Sequence, residues 1–216
     1  MNSFGTKEQD RPPTRMGTIT SLARRRKSKT ADRTRVLEAA EKLFRKHGFD
    51  DVGMREIAEA ADTNPVQLYR LGLSKSEILG ELIVRLNDRQ IREIKKLDIG
   101  QLGGTVSERV LGYLLALYRL DTRDKELRKL GAAYGWLWPK EREAQVLEQI
   151  HHLVEPVASE LQRAGLDKVG ERCIAIWSVY YTGYRAAIIH NASAEDCLLG
   201  ISEAVKLILS RAPHTA

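Results

Sequence analysis

Residues 34–75 constrain the fold most strongly, because three short helical patterns follow one another there with only brief interruptions. The third pattern begins at Asn64-Pro65. Asparagine is a strong N-cap, and proline suits the first helical position because its missing N–H would be unpaired anyway. Asp62, in the preceding turn, tolerates a left-handed backbone. This arrangement predicts a helix-turn-helix unit.

The third helical pattern places its polar side chains on one side. Leu68 and Leu71 face inward, which leaves Val66, Gln67, Tyr69 and Arg70 facing outward. Glutamine can bond an adenine edge in a bidentate way, and tyrosine and arginine reach phosphates or bases. The pattern therefore predicts a nucleic-acid-binding helix.

Plainer roles remain open for each of these side chains. Gln67 can simply complete a capping box with Asn64, Tyr69 can pack on the first helix, and Arg70 can be ordinary surface charge. Arg55, in the first turn of the second helix, can contact a phosphate or guanine, or can instead pair with Asp51.

The positive charge is concentrated at the N-terminus. Residues 1–30 carry eight Lys and Arg against two acidic residues, whereas the remaining residues hold 27 of each sign. The segment also contains Pro12-Pro13 and many small polar residues, so we expect a disordered basic tail when DNA is absent. Such a tail next to a DNA-binding unit suggests phosphate or minor-groove contacts by Arg24, Arg25 and Arg26, although a purely solubilising tail remains an alternative.

Helical periodicity continues to the C-terminus, and no strand-type alternation is visible. The sequence therefore predicts an all-α protein with a disordered tail at 1–30, a helix-turn-helix domain at 31–76 and a helical domain at 77–216. Pro156 lies inside an apolar pattern and predicts a kink or break. The predicted helices cover about 31–46, 54–61, 65–71, 74–97, 105–120, 124–136, 139–164, 169–190 and 194–211.

A family resemblance lies in the segment from Val36 to Ile83. It is carried by the runs RVLEAAEKLF, KHGF and MREIAEAA, and by the LY of the third helix followed by SK. The segment resembles the N-terminal DNA-binding domain of TetR-family transcriptional regulators. The resemblance implies a three-helix, homeodomain-like head whose third helix enters the major groove, a homodimer, and repression that a ligand relieves.

Matched by position, the resemblance assigns base or phosphate contacts to a set of residues in the head: Arg55, Asn64, Pro65, Val66, Gln67, Tyr69, Arg70 and Lys75. The chain departs from the family pattern at three places. Asp62 stands where glycine is common, Pro65-Val66 replaces a frequent Lys-Gly pair, and residues 71–73 replace a His-Phe-Pro-like run.

Aromatic residues are concentrated after residue 110, and they predict an apolar cavity with a few phenol and indole donors for a small organic effector. A plain aromatic core without a cavity is the alternative. The candidate ligand-binding residues are Tyr113, Tyr118, Tyr134, Trp136, Trp138, Trp177, Tyr181 and Tyr184.

Small and apolar residues on the last two helices predict a dimer interface, since small residues let helices approach closely. The alternative is that these residues belong to the core of one chain. The candidate interface residues are Ile176, Gly183, Ala187, Ile201, Val205 and Ile208.

The sequence contains no phosphate-binding glycine loop, nucleophile motif or zinc-type spacing, so we expect no catalytic residue, metal or cofactor. No apolar run reaches the roughly 18 residues that span a bilayer. Cys173 and Cys197 suit a reducing cytoplasm. The sequence thus predicts a cytoplasmic, nucleoid-associated bacterial repressor that an effector releases from a palindromic double-stranded operator. An activator, a ligand-independent regulator and a ligand-binding protein with a weakened DNA head are the alternatives.

Overall fold

A computed structural model describes residues 15–210 of the chain, with side chains from residue 30 onward. This range is all-helical and contains no strand, which confirms the predicted fold class. Three single 3₁₀ turns, at Ile99–Gln101, Thr122–Asp124 and Gly135–Leu137, separate some of the helices. The α-helices are α1 (Arg15–His47), α2 (Met54–Ala60), α3 (Pro65–Arg70), α4 (Lys75–Ile94), α5 (Val106–Asp121), α6 (Lys125–Tyr134), α7 (Lys140–Arg163), α8 (Val169–His190) and α9 (Ala194–Leu209).

Two predictions about helix continuity need correction. Helix α1 begins at Arg15, so residues 15–30 are helical where a disordered tail was expected. Helix α7 runs without a break through Pro156, so of the two predicted outcomes the break does not occur and the kink stays a prediction. A proline removes one backbone hydrogen bond, and the buried residues Leu153 and Val157 on either side hold α7 against the core.

Side-chain caps begin α4, α5 and α9. The side chains of Thr105 and Ser193 each accept a hydrogen bond from the backbone amide of the third residue of their helix. The carboxylates of those residues, Glu108 and Asp196, accept one in turn from the backbone amides of Thr105 and Ser193. Ser74 caps α4 by accepting from the Glu77 amide at 3.1 Å. The Glu77 carboxylate, however, pairs with Arg142 of α7 at 3.2 Å and so ties the start of α4 to the C-terminal helices.

Two apolar clusters divide the molecule, and α4 contributes to both. The first combines α1, α2 and α3 with the first half of α4, and Leu127 of α6 is buried within it. The second is built on α5, α8 and α9, with Ile91 and Ile94 from the end of α4. Helix α4 therefore connects the N-terminal unit to the C-terminal helices, and the domain boundary near residue 76 stays a prediction.

Candidate functional site

Helices α2 and α3 form a tight helix-turn-helix corner. Asp62 adopts the left-handed conformation, with φ of 51°, that the turn requires of it. Asn64 caps α3, since its side chain accepts a hydrogen bond from the Gln67 amide at 3.0 Å. Leu68 is fully buried against the head and fixes which side of α3 faces solvent.

The outward side of α3 is exposed and unengaged. Val66, Gln67, Tyr69 and Arg70 all face solvent, and Tyr69 is 67% exposed, so its ring does not pack on α1. Within residues 30–210, the side chains of Gln67, Tyr69 and Arg70 make no hydrogen bond or ion pair. The backbone amide of Gln67 alone takes part in capping, because only Asn64 contributes a side chain to the box. The corner thus presents free polar groups to a partner.

The other residues predicted to contact DNA differ in whether their side chains already have partners within the protein. Arg55 is exposed and forms no ion pair with Asp51 in the described part of the chain. Lys75 is already engaged: its ammonium donates to the Asp50 carbonyl at 3.1 Å and lies 4.4 Å from the centre of the Phe49 ring. The side chains of Arg24, Arg25 and Arg26 lie outside the described residues, so their predicted contacts stay predictions.

A cavity of about 360 Å³ lies among α4, α6, α7 and α8. Five of the eight aromatic residues proposed from sequence line it: Trp136, Trp138, Trp177, Tyr181 and Tyr184. Its volume falls in the range, roughly 300–1,000 Å³, of sites that hold drug-sized molecules. A cavity therefore accompanies the aromatic residues, as the sequence predicts.

The other three candidates lie elsewhere. Tyr113 is buried in the core, where its hydroxyl donates to the Leu153 carbonyl at 2.9 Å. Tyr118 is also buried, and its hydroxyl donates to the Tyr180 carbonyl at 2.8 Å. Tyr134 faces the head instead of the cavity and donates to the Asp50 carboxylate at 2.7 Å. Aromatic type alone does not show in which direction a side chain points.

A buried polar cluster at the cavity wall was not predicted from the sequence. Asp121 accepts hydrogen bonds from Gln90, at 2.8 Å, and from the Tyr180 hydroxyl. Arg128 lies 3.2 Å from the same carboxylate and donates to the Gln90 carbonyl oxygen at 2.9 Å. One signal was available, because Asp121 continues the apolar stripe of α5. Its partners come from α4, α6 and α8, which sequence spacing cannot bring together.

Burial shapes the protonation of this cluster. It raises the pKa of the Asp121 carboxyl, while Arg128, Tyr180 and Gln90 oppose the rise. Burial also raises the pKa of Tyr184 to about 12 and that of Tyr180 well above its ordinary value. Both phenols therefore keep their protons at neutral pH and can act as hydrogen-bond donors.

The candidate dimer residues belong mostly to the core of the single chain. Ile176, Ala187, Ile201 and Val205 are buried in the cluster around α5. Gly183 is needed inside the chain, because a Cβ there would collide with the Tyr118 hydroxyl. Ile208 is half-buried against the same cluster. The periodicity identified an apolar stripe correctly but could not show that the chain itself covers it.

Different residues of α8 and α9 present apolar side chains to solvent. Ile174 on α8 is exposed, and on α9 Leu199 and Leu207 are 76% and 75% exposed. Leu199 and Leu207 are two helical turns apart and so lie on one side of α9. We call Ile174, Leu199 and Leu207 the outer face. On α8, Tyr181 and Ile189 are also partly exposed, at 40% and 45%.

Within the described residues, no group of three His, Cys, Asp or Glu side chains is placed to hold a metal ion. Among the helices between residues 15 and 210, none is both long and apolar enough to cross a bilayer. Cys173 and Cys197 are buried free thiols whose pKa is raised by burial.

The molecule presents an exposed helix-turn-helix corner, and one long helix joins this corner to an all-helical unit that contains a cavity. This is the architecture of a helix-turn-helix regulatory protein. Residues 36–82 match the family model described as bacterial regulatory proteins, tetR family. This match covers the helix-turn-helix unit and the start of α4, and not the C-terminal helices.

Comparison with individual proteins agrees with this family. The chain is 33% identical over 101 residues to YdgC of Bacillus subtilis, an uncharacterised HTH-type transcriptional regulator. That match covers 46% of this chain and 52% of the relative, so the chain spans about half the length of the curated relative it matches.

Two solved structures share the fold over most of the chain. One is a TetR-family regulator from Mesorhizobium loti, 15% identical, with a TM-score of 0.63 over 84% of this chain and 96% of the other. The second is FadR of Thermus thermophilus, a repressor in complex with lauroyl-CoA, 20% identical, with a TM-score of 0.60 over 85% of this chain and 98% of the other. At these identities the likeness shows the fold alone.

Proposed function

We propose that the protein is a dimeric transcriptional repressor, released from a palindromic DNA operator when a small organic effector fills the cavity. The observation that carries the proposal is the exposed, unengaged set of Gln67, Tyr69 and Arg70 on the capped helix α3. A short helix that presents such groups from a tight corner fits the major groove. The protein would act in the bacterial cytoplasm, on the nucleoid.

The head divides DNA recognition between bases and phosphates. Gln67 is suited to a bidentate bond with adenine, and Arg70 and Tyr69 to neighbouring bases or phosphates. Arg55, at the exposed start of α2, is placed to bind the DNA backbone. Residues 31–75 carry eight basic and eight acidic side chains, so much of the electrostatic attraction must come from the basic N-terminal segment that includes Arg24, Arg25 and Arg26.

Two heads need a dimer to reach successive half-sites about one helical turn apart. We assign the dimer contact to the outer face of Ile174, Leu199 and Leu207, in place of the six residues indicated by the sequence, which pack in the core of the single chain. Large exposed aliphatic side chains on two adjacent helices are costly in water, and a second copy would cover them. A two-fold axis would bring the same residues together from both chains.

The route from cavity to head runs through Tyr134. The 3₁₀ turn that follows it contains Trp136, and this turn together with Trp138 forms one cavity wall. The Tyr134 ring lies 4.5 Å from the Phe49 ring, and its hydroxyl donates to Asp50. The Asp50 carbonyl in turn accepts from Lys75, which directly follows the N-cap of α4. An effector that moves this wall would shift the corner beside α3.

Gln67→Ala should relax base preference without abolishing binding. Losing one bidentate contact should cost about 1–3 kcal/mol of discrimination at one base pair in each half-site. The measurement is fluorescence anisotropy with a duplex selected from a random library and its single-base variants. Gln101→Ala, an exposed glutamine outside the head, is the matched control. Unchanged discrimination at every position in the Gln67 variant would contradict the assignment.

Tyr134→Phe should weaken communication between head and cavity while leaving the ring against Phe49 in place. The hydrogen bond from Tyr134 to Asp50 would be lost, so the effect of DNA binding on the cavity wall should become smaller. Hydrogen exchange of the backbone amides of residues 135–138, with and without duplex DNA, measures it. Tyr181→Phe is the control, because that hydroxyl lies at the cavity and makes no contact with the head. Equal DNA-induced protection in the Tyr134 variant and the wild type would rule out this route.

A further inference from the structure

The charged part of the cavity wall is already paired. The Asp121 carboxylate accepts hydrogen bonds from Gln90 and Tyr180 and lies beside the Arg128 guanidinium. The Arg128 guanidinium also donates to the Gln90 side-chain oxygen at 2.9 Å. A ligand that brought its own charge would have to break this pair and leave a buried ion without a partner, which is strongly unfavourable.

The remaining charge on the lining disfavours anions in particular. The lining contains two acidic side chains, Asp121 and Glu143, and one basic side chain, Arg128. Glu143 is exposed, so it offers a cation only a well-hydrated carboxylate. Neither sign of charge therefore finds a free, buried counter-ion on this wall.

Two buried donors on residues of the lining lack a hydrogen-bond acceptor. The Trp138 indole N–H is buried and has no acceptor among the described residues. The Arg128 Nε is likewise buried and makes no hydrogen bond, although it keeps its ion-pair contact with Asp121. Tyr184 also lines the cavity, and burial raises its pKa to about 12, so its hydroxyl keeps its proton. A buried donor without an acceptor is unfavourable until a ligand supplies one.

Aromatic faces make up much of the remaining lining. Trp177 stacks on Tyr180 at 4.9 Å, and Tyr181 stacks on Tyr184 at 5.6 Å between ring centroids. Trp136, at the rim, is 87% exposed and has no packing partner to hold it there. Flat apolar rings can stack on such faces and be covered by this side chain.

From these features we propose that the cavity binds an uncharged, ring-containing organic molecule with an acceptor oxygen that takes the Trp138 N–H. The inference rests on the proposed function only in treating the cavity as the effector site. It sets this cavity apart from one built for a carboxylate, because no buried cation is free to pair with such a group.

Three probes with one scaffold test the ligand class: methyl naphthyl ketone, naphthoate and naphthylmethyl trimethylammonium. They share the ring system and differ in charge. In calorimetric titrations of the full-length protein, the ketone should bind at least about tenfold more tightly than either ion. Tighter binding of naphthoate or of the ammonium compound, or no binding of the ketone, would overturn the proposal.

A matched ligand tests the hydrogen bond. Trp138→Phe should weaken ketone binding by about five- to tenfold, because the ring remains and only the donor is lost. Ethylnaphthalene has the same ring system and no acceptor oxygen, so its binding should change by less than about twofold in the same variant. Equal effects of Trp138→Phe on the two ligands would overturn the role of Trp138.

Anisotropy of a bound duplex separates this proposal from the proposed function. If the ketone binds in the expected order and the protein stays on DNA, the effector role fails while the ligand class stands. If DNA is released by naphthoate and not by the ketone, the ligand class fails while the regulator stands.

Discussion

Arg128→Met should lower the free energy of unfolding by about 3–5 kcal/mol, because it leaves the buried Asp121 carboxylate without its cation. Methionine keeps much of the side-chain volume, so the loss reports the missing charge more than a cavity. Urea denaturation followed by circular dichroism measures the change.

The loss should also depend on pH. Burial already raises the folded-state pKa of Asp121 above its unfolded value, and removing Arg128, which opposes the rise, raises it further. The folded variant then binds more protons than the unfolded chain, so its stability falls as pH rises. We therefore expect a smaller loss at pH 5 than at pH 8. Arg123→Met, which breaks an exposed pair with Glu93, should cost less than about 1 kcal/mol. A similarly small cost for the Arg128 variant would contradict the account of the buried pair.

Leu199→Glu should dissociate the proposed dimer, raising its dissociation constant by at least about 1,000-fold. The two-fold axis places the substitution in the interface twice, and each carboxylate would be buried without a cation. Sedimentation equilibrium measures the effect. Binding to a duplex with both half-sites should weaken in parallel, whereas binding to one half-site should be retained.

Leu137→Glu is the matched control, because Leu137 is 76% exposed, as Leu199 is, and lies on the turn after α6. It should leave the dimer intact. An unchanged dimer in the Leu199 variant would show that the outer face of α8 and α9 is not the contact surface.

Local sequence rules predicted much of the fold. The bounds of α8, the capping of α9 by Ser193 and the left-handed Asp62 follow from periodicity and side-chain chemistry that act over a few residues. The start of α1 did not follow, since residues 15–30 are rich in Lys, Arg, Ser and Thr, a composition typical of disorder. Composition suggested disorder there, and the helix continues.

The site was predictable only in part, for a different reason. An apolar stripe such as Ile176, Gly183 and Ala187 looks the same whether its own chain or a second copy covers it. The pairing of Asp121 with Arg128 and Gln90 joins residues from three helices, which no local pattern can reveal. By contrast, the exposed face of α3 followed directly from the position of Leu68, because a six-residue helix has one inner side.

Selection of fragmented bacterial genomic DNA on the purified protein, in parallel with Tyr69→Ala, tests the central claim most directly. Tyr69 is exposed and contributes nothing to the core, so the variant should fold normally. The account predicts that the wild type recovers one near-palindromic motif and that the variant loses it. Recovery of no motif, or equal recovery by both proteins, would contradict a DNA-binding role for α3.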